Sequence, residues 1–480
     1  MIKLNIILLY LLYPLVHFQL FAIGNFGVTT SDIFILILNN VFLYKFVWEG
    51  TELKIPKTSI HILILLLIVF LLFSGIIPLL QINEGYIIQF LKTYSHFLYL
   101  YIFLLFGISF EIDEKFFFKV IQIILISSIL VNLYGIYQLV ARALDLPWGW
   151  VEINNASLLA RTDQAPDTEL KQLALQFKDF YRATSIFSEP SAFVHYNLHN
   201  LVFLAIPFLS KTKKIFESKF LNILIFLLIL INLFLTFSLT AILGLSFLVF
   251  ISAILEKKTL LKLYLKILLI SAIVLLIADY YIQDIVGLSL ISLIGDRIYS
   301  VLAYIFLNED NLVDGESLTW RITVVMDSIE VWLKNPFGVG SGLYAKNSEI
   351  ANFSDNSLLA ILSEAGPHSA SVFIGLFVSL FYHTIKLRRN ANISKNEIQS
   401  TFVNMLPYIM IIQFETNFLT ANTYITVPFV LPLFFILSVI RSVYISNSKY
   451  YSFKFSTITL KAKFNENISK YIKNQSISAQ

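Results

Sequence analysis

The sequence has no cysteine, which excludes disulfides and thiolate metal sites. Charge is scarce too: 14% of the 480 residues are Asp, Glu, Lys or Arg, against about 25% in soluble domains. Apolar residues make up 57% of the chain. A soluble globule would have nowhere to put that excess, whereas a bilayer accepts it because lipid replaces the polar surface a globule needs. Basic residues exceed acidic ones only slightly, for a formal charge of +4. They come in short clusters between apolar runs, the pattern of membrane-flanking loops and not of a nucleic-acid surface.

A helix crosses a bilayer with about 20 mostly apolar residues. About twelve stretches meet that length, at 4–22, 31–47, 60–80, 86–107, 116–140, 184–209, 220–237, 239–255, 264–282, 357–380, 401–419 and 423–444. The first has only Lys3 before it and no small-x-small cleavage site after it, so it reads as a retained helix and not a signal peptide. The expected fold class is an all-α polytopic membrane protein, with a membrane domain over 1–445 and a polar, flexible cytoplasmic tail over 446–480.

Orientation follows from the basic clusters. Lys45, Lys54 and Lys57; Lys115 and Lys119; Lys211, Lys213, Lys214 and Lys219; Lys257, Lys258 and Lys262; Lys386, Arg388 and Arg389; and Arg441, Lys449 and Lys454 all fall on one side of a twelve-span chain. Both termini are then cytoplasmic. Two long connections, 142–183 and 283–356, face outward, and loops of this length are usually functional or disordered. Their tryptophans, Trp148, Trp150, Trp320 and Trp332, favour order, and 168–181 reads as a short interfacial helix.

Ionisable groups within membrane segments are costly unless they face a cavity or a partner, so their depth is informative. Glu189, His195 and His199 lie on the sixth stretch, and Asp355, Glu364 and His368 at and in the tenth. Lys92, His96, Asp279 and Glu415 also fall in outer halves. The bland reading is that helix ends are simply polar; as a set, these residues suggest a cavity opening outward. His195 and His199, one turn apart, suit packing or cavity polarity better than metal binding.

Two local signals adjoin the long loops. Arg182-Ala-Thr-Ser-Ile-Phe-Ser-Glu-Pro-Ser191 leads into the sixth stretch, where Pro190 suits a helix start and Glu189 sits near its positive end. Trp320-Arg321 opens a helical stretch to Lys334, followed by Asn335-Pro-Phe-Gly-Val-Gly-Ser-Gly342, a spacer and Asp355-Asn356-Ser357. The glycines allow either tight turning or close approach of backbone to a ligand. No strand precedes them, so they are not a nucleotide fingerprint.

This second segment, continued by Ser363-Glu364-Ala365-Gly366, resembles the O-antigen polymerase and O-antigen ligase superfamily. The Arg182 segment is similar to that family's Arg-x-x-x-x-Phe-x-x-Pro approach to a helix, and Thr236-Phe-Ser-Leu239 to its Thr-x-Ser-Arg turn, with Leu239 where the family has Arg. The resemblance covers about 180–370. Before the Asn, ligases usually have His where this chain has Asp355, which favours a polymerase.

The resemblance implies a metal-independent, GT-C-like membrane glycosyltransferase of the bacterial inner membrane, with its active site facing the periplasm. Donor and acceptor would be undecaprenyl-diphosphate-linked glycans, with the membrane lipid around them, no cofactor and no nucleic acid; a chain-length regulator is a further partner it leaves open. A departing diphosphate needs fixed cations, and Arg182 and Arg321 at the outer boundary suit it, since a guanidinium binds phosphate bidentately and stays charged. The attacking hydroxyl needs a base, for which Asp355, Glu189 and Glu364 are candidates in that order. His368 could orient Glu364, and His195, Asn356 and Gly340 are supporting candidates. Two alternatives stand beside the polymerase: a ligase moving finished polymer, and a transporter, although no repeated half supports the latter.

Overall fold

The computed structural model describes residues 2–16, 18–23, 26–81, 84–151, 176–177, 180–255, 315–351, 354–389 and 396–453, with a few isolated positions between 153 and 299. Among them, seven helices are long and apolar enough to cross a membrane. We number them with the other helices in chain order: α1 (Ile2–Leu11), α2 (Thr30–Val47), α3 (Ile60–Phe73), α4 (Ile76–Leu80), α5 (Glu84–Ser109), α6 (Glu114–Ala143), α7 (Pro190–Leu209), α8 (Lys219–Leu235), α9 (Leu239–Leu255), α10 (Gly315–Lys334), α11 (Tyr344–Asn347), α12 (Ser357–Arg389), α13 (Glu397–Glu415) and α14 (Val427–Ser446). The seven are α2, α3 with α4, α5, α6, α7, α12 and α14; α1, α8 and α9 are shorter apolar helices. The expected span at 264–282 falls almost wholly outside the described residues.

Helix ends follow local chemistry. Thr29 and Asp32 close a capping box on α2, and Asp113 caps α6 by accepting from Lys115 N at 3.0 Å. Ser218 and Asn396 cap α8 and α13 in the same way. The first expected span, 4–22, is not one helix. After α1 comes a 3-10 turn over Tyr13–Leu15, then a hairpin of β1 (Gln19–Ile23) and β2 (Phe26–Thr29). Pro14 lacks an N–H to continue the helix, and Gly24-Asn25 is a hairpin-type dipeptide. The helix expected over 168–181 is also not found where residues are described: β4 (Gln176–Phe177) pairs there with β5 (Phe180–Tyr181).

Lipid is as apolar as leucine, so helices in a membrane are held by close packing and buried polar bonds, each about 0.6–2 kcal/mol. At Gly135 a side chain would stand 2.6 Å from Asn232 Oδ1, so glycine lets α6 and α8 approach, and Asn232 donates to the Asn132 carbonyl at 3.0 Å. Helix α14 packs on α5 and α13, and α13 on α7 and α9.

One end of the bundle collects the basic segments. Lys3 lies 3.8 Å from Asp113, Thr401 donates to the Lys213 carbonyl at 3.3 Å, and Gln399 to Glu114 at 2.7 Å. There β3 (Leu53–Pro56) pairs antiparallel with β6 (Tyr450–Phe453), laying Lys54 and Lys57 over the rings of Tyr450 and Tyr451. The stretch after 445, expected to be flexible, is thus ordered through Phe453.

At the other end the glycine segment folds into a kink of α12. Gly366 breaks that helix with φ 78° and ψ 175° just before Pro367. Val339 N donates to the Ser363 carbonyl at 3.0 Å and Gly340 N to the Glu364 carbonyl at 2.8 Å. Gly338 has φ +90°, and a Cβ there would stand 2.4 Å from the Glu364 carbonyl oxygen. Gly338→Ala is therefore expected to cost about 1–3 kcal/mol and to lower the melting temperature in detergent. Gly375→Ala, whose added methyl meets only Leu63 Cδ2 at 3.6 Å, should leave it unchanged.

Candidate functional site

The site begins with α10, which is amphipathic. Val324 and Val331 are buried with Leu343, Tyr344 and Ala351, while Trp320, Ile322 and Met326 are exposed. Ser328, on the buried face, meets Ser354 at 3.0 Å and so ties α10 to the segment that starts α12. This docking brings Arg321 Nη1 to 3.1 Å from Asp355 Oδ1 and 3.3 Å from the Thr420 carbonyl.

The three residues at the mouth of α12 have separate tasks. Asp355 faces Arg321. Asn356, expected as a supporting site residue, caps the helix by accepting from Leu359 N at 3.0 Å. Ser357 donates to Asn417 Oδ1 at 2.7 Å and accepts from Thr423 N at 2.9 Å, which ties α12 to the turn after α13. Burial raises the Asp355 carboxyl pKa, with Arg321 opposing.

Arg182 approaches from the other long connection. Ala183 N donates to the Leu235 carbonyl at 2.9 Å, and Arg182 Nε to the Thr236 carbonyl at 2.8 Å. The segment is thus zipped to the end of α8, and Arg182 reaches the turn that begins at Thr236. Burial lowers the Arg182 guanidinium to about 10, Glu189 supports its charge and Arg321 opposes it. It therefore stays protonated at neutral pH. Glu189 sits at the N-cap of α7 with its carboxylate hydrogen-bonded by Ser191. Arg182, Arg321, Glu189 and Asp355 thus form one charged neighbourhood.

Arg182 is held by residues that no motif singled out. Arg142, at the end of α6, donates to the carbonyls of Arg182 and Gly149, each at 2.8 Å, and to Thr184 Oγ1 at 3.0 Å, while stacking on Trp150. Gln172 completes the knot, donating to the Ser185 and Phe187 carbonyls at 2.7 Å. An arginine at the end of an apolar helix, away from the basic clusters, was the available signal.

The remaining candidates stand apart from this neighbourhood. Glu364 is a latch: its Oε2 accepts from Gly342 N and from Tyr424 Oη, both at 2.9 Å. The break at Gly366 interrupts the turn that would set His368 beside Glu364, and His368 packs edge-on against Phe70 instead. Gly340 turns the loop and gives its N–H to protein. Every N–H from Gly338 to Gly342 has a protein acceptor, so close packing, not an open anion cradle, accounts for the glycines. His195 Nε2 lies 3.4 Å from Glu415 Oε2, and His199 Nδ1 contacts the His195 carbonyl at 2.7 Å.

Two outcomes follow. Glu364→Gln keeps an acceptor for Gly342 N and should melt near wild type, whereas Glu364→Ala orphans that buried N–H and should cost about 1–3 kcal/mol. Because the folded chain disfavours ionised Asp355, Asp355→Asn should not lower the melting temperature at neutral pH. Below the ordinary carboxyl pKa of about 4 both side chains are neutral, so any gain of the variant over wild type appears only as pH rises past that value.

Residues 224–391 match the family model described as O-antigen ligase. The match takes in the Thr236 turn, Arg321, the glycine segment, Asp355 and Glu364, and leaves Arg182, Glu189, His195 and Glu415 outside. No curated protein matches the chain.

Proposed function

We propose that this chain, a member of the O-antigen ligase and polymerase superfamily, polymerises undecaprenyl-diphosphate-linked glycan repeats into surface polysaccharide by inverting glycosyl transfer. The observation that carries the reading is the gathering of Arg182 and Arg321 with Asp355 at the end of the bundle opposite the basic loops. With the basic loops cytoplasmic, that end faces the periplasm of the inner membrane, where a polyprenyl headgroup would lie.

In this reading the resting site is neutralised internally, because Arg321 holds Asp355. A donor diphosphate competes for the guanidinium with more charge and a bidentate geometry. Its arrival frees the carboxylate. The acceptor sugar hydroxyl attacks the anomeric carbon, its proton passes to Asp355, and the bond from that carbon to the diphosphate oxygen breaks. The lipid diphosphate leaves with the bonding electron pair, and the two guanidinium groups stabilise the charge it gains. The raised carboxyl pKa suits a general base, since a stronger base takes the proton more readily. Activity then falls as pH drops through that raised value and Asp355 becomes protonated. Glu189 supports Arg182, and Glu364 serves the scaffold.

The match to an O-antigen ligase family favours a second reading, in which finished polymer is moved from the polyprenyl carrier to lipid A core. The Asp at position 355 favours the polymerase. A glycan ladder gel separates the two, using a deletion strain complemented with wild type, Arg321→Ala or Asp355→Ala. For a polymerase, both variants lose the ladder and leave one repeat unit on lipid A core. Long polymer stranded on polyprenyl lipid would establish the ligase. A wild-type ladder from Arg321→Ala would sink the diphosphate role.

A further inference from the structure

Beneath the Arg321–Asp355 pair lies a second pair that the reaction above does not use. Glu415 ends α13 and is 0% exposed, and neither of its carboxylate oxygens has a hydrogen-bond partner. His195 Nε2 stands 3.4 Å from one of them. A carboxyl removed from water without hydrogen bonds is expensive, and a buried charge pair rarely returns that cost as stability. Its presence calls for a task other than holding the fold.

The chain after Glu415 supplies one. It leaves α geometry for a π-turn over Thr416–Thr420, a rare form that is frequent at functional sites. Thr420 Oγ1 lies 3.4 Å from the same His195 Nε2, and the Thr420 carbonyl accepts from Arg321 Nη1 at 3.3 Å. Asn417, within the turn, accepts from Ser357, two residues after Asp355. One short turn therefore joins the buried pair to Arg321 and to the start of α12 beside Asp355.

We propose that His195 and Glu415 are positioning residues for Arg321: their pairing fixes the π-turn, and the turn's Thr420 carbonyl aims the guanidinium at the donor diphosphate. This rests on the diphosphate role of Arg321 given above. It also accounts for a histidine and a glutamate so far apart in sequence meeting in an apolar interior, outside the segment matched by the family. Neither residue touches substrate in this account.

The test uses the purified full chain in detergent micelles, with undecaprenyl diphosphate as the probe and the fluorescence of Trp320, next to Arg321, as the readout. The double variant His195→Leu with Glu415→Leu removes both ionisable side chains and replaces them with apolar bulk, which a buried pair tolerates. It should melt like wild type and bind the probe about tenfold more weakly. Thr420→Val, which deletes only the hydroxyl link, should weaken binding about threefold and serves if the double variant does not fold. Added to Arg321→Ala, neither change should weaken binding further, because the effect travels through Arg321. Wild-type affinity in Thr420→Val or in a folded double variant would overturn the proposal. So would an equal loss in the Arg321→Ala background, which would mean general loosening of the bundle. Unchanged binding by Arg321→Ala alone would instead overturn the diphosphate reading on which the proposal rests.

Discussion

The Glu364 carboxylate is the contact on which the end of the bundle opposite the basic segments is built. It accepts from Gly342 N and Tyr424 Oη, while the Glu364 carbonyl accepts from Gly340 N. Those bonds are possible only because Gly366 turns α12 out of helical geometry and leaves carbonyls for the glycine segment. Around the latch, Ser341 N donates to Ser74 Oγ at the break between α3 and α4, and the Gly342 carbonyl accepts from Gln89 of α5. Five parts of the chain are thereby registered against one another, and α10 is docked just beyond them. The position of Arg321 is downstream of that registration.

The charge arrangement follows a related constraint. In a low-dielectric interior every guanidinium needs acceptors or counter-charge within reach. Arg142 meets the demand with backbone carbonyls, Arg182 with a carbonyl and Glu189, and Arg321 with Asp355 and a carbonyl. The three differ in exposure. Arg142 is buried and holds the loop, Arg182 is buried with Glu189 and Arg321 as its charged neighbours, and Arg321 is 37% exposed in its side chain. The gradient runs from scaffold to surface along two connections that come from distant parts of the chain.

Much of this was legible in the sequence, and the parts that were not share a cause. Hydropathy located α2, α5, α6, α7, α12 and α14, because length and composition dominate the energetics of a membrane helix. It misread 4–22, where an apolar run hides Pro14 just ahead of a hairpin, since hydropathy is blind to a missing N–H. Arg182, Arg321 and Asp355 stood out through motif and depth. Gln172 and Thr420 did not, because their roles are contacts across the fold that leave no local pattern, and Arg142 showed only as an arginine ending an apolar helix. Glu364 and Gly340 were visible as unusual, but only the kink at Gly366 shows their polarity spent on internal bonds.

The pairing of β3 with β6 has a consequence for how the protein is made. Leu53–Pro56 emerges early in synthesis, and its partner Tyr450–Phe453 emerges after the last described helix. Until then the early strand keeps an unpaired edge at the membrane surface, and α14 is absent from its place against α5. Closure of this strand pair is therefore a late event in biogenesis, and a ribosome stalled before α14 leaves a bundle whose β3 edge is still open.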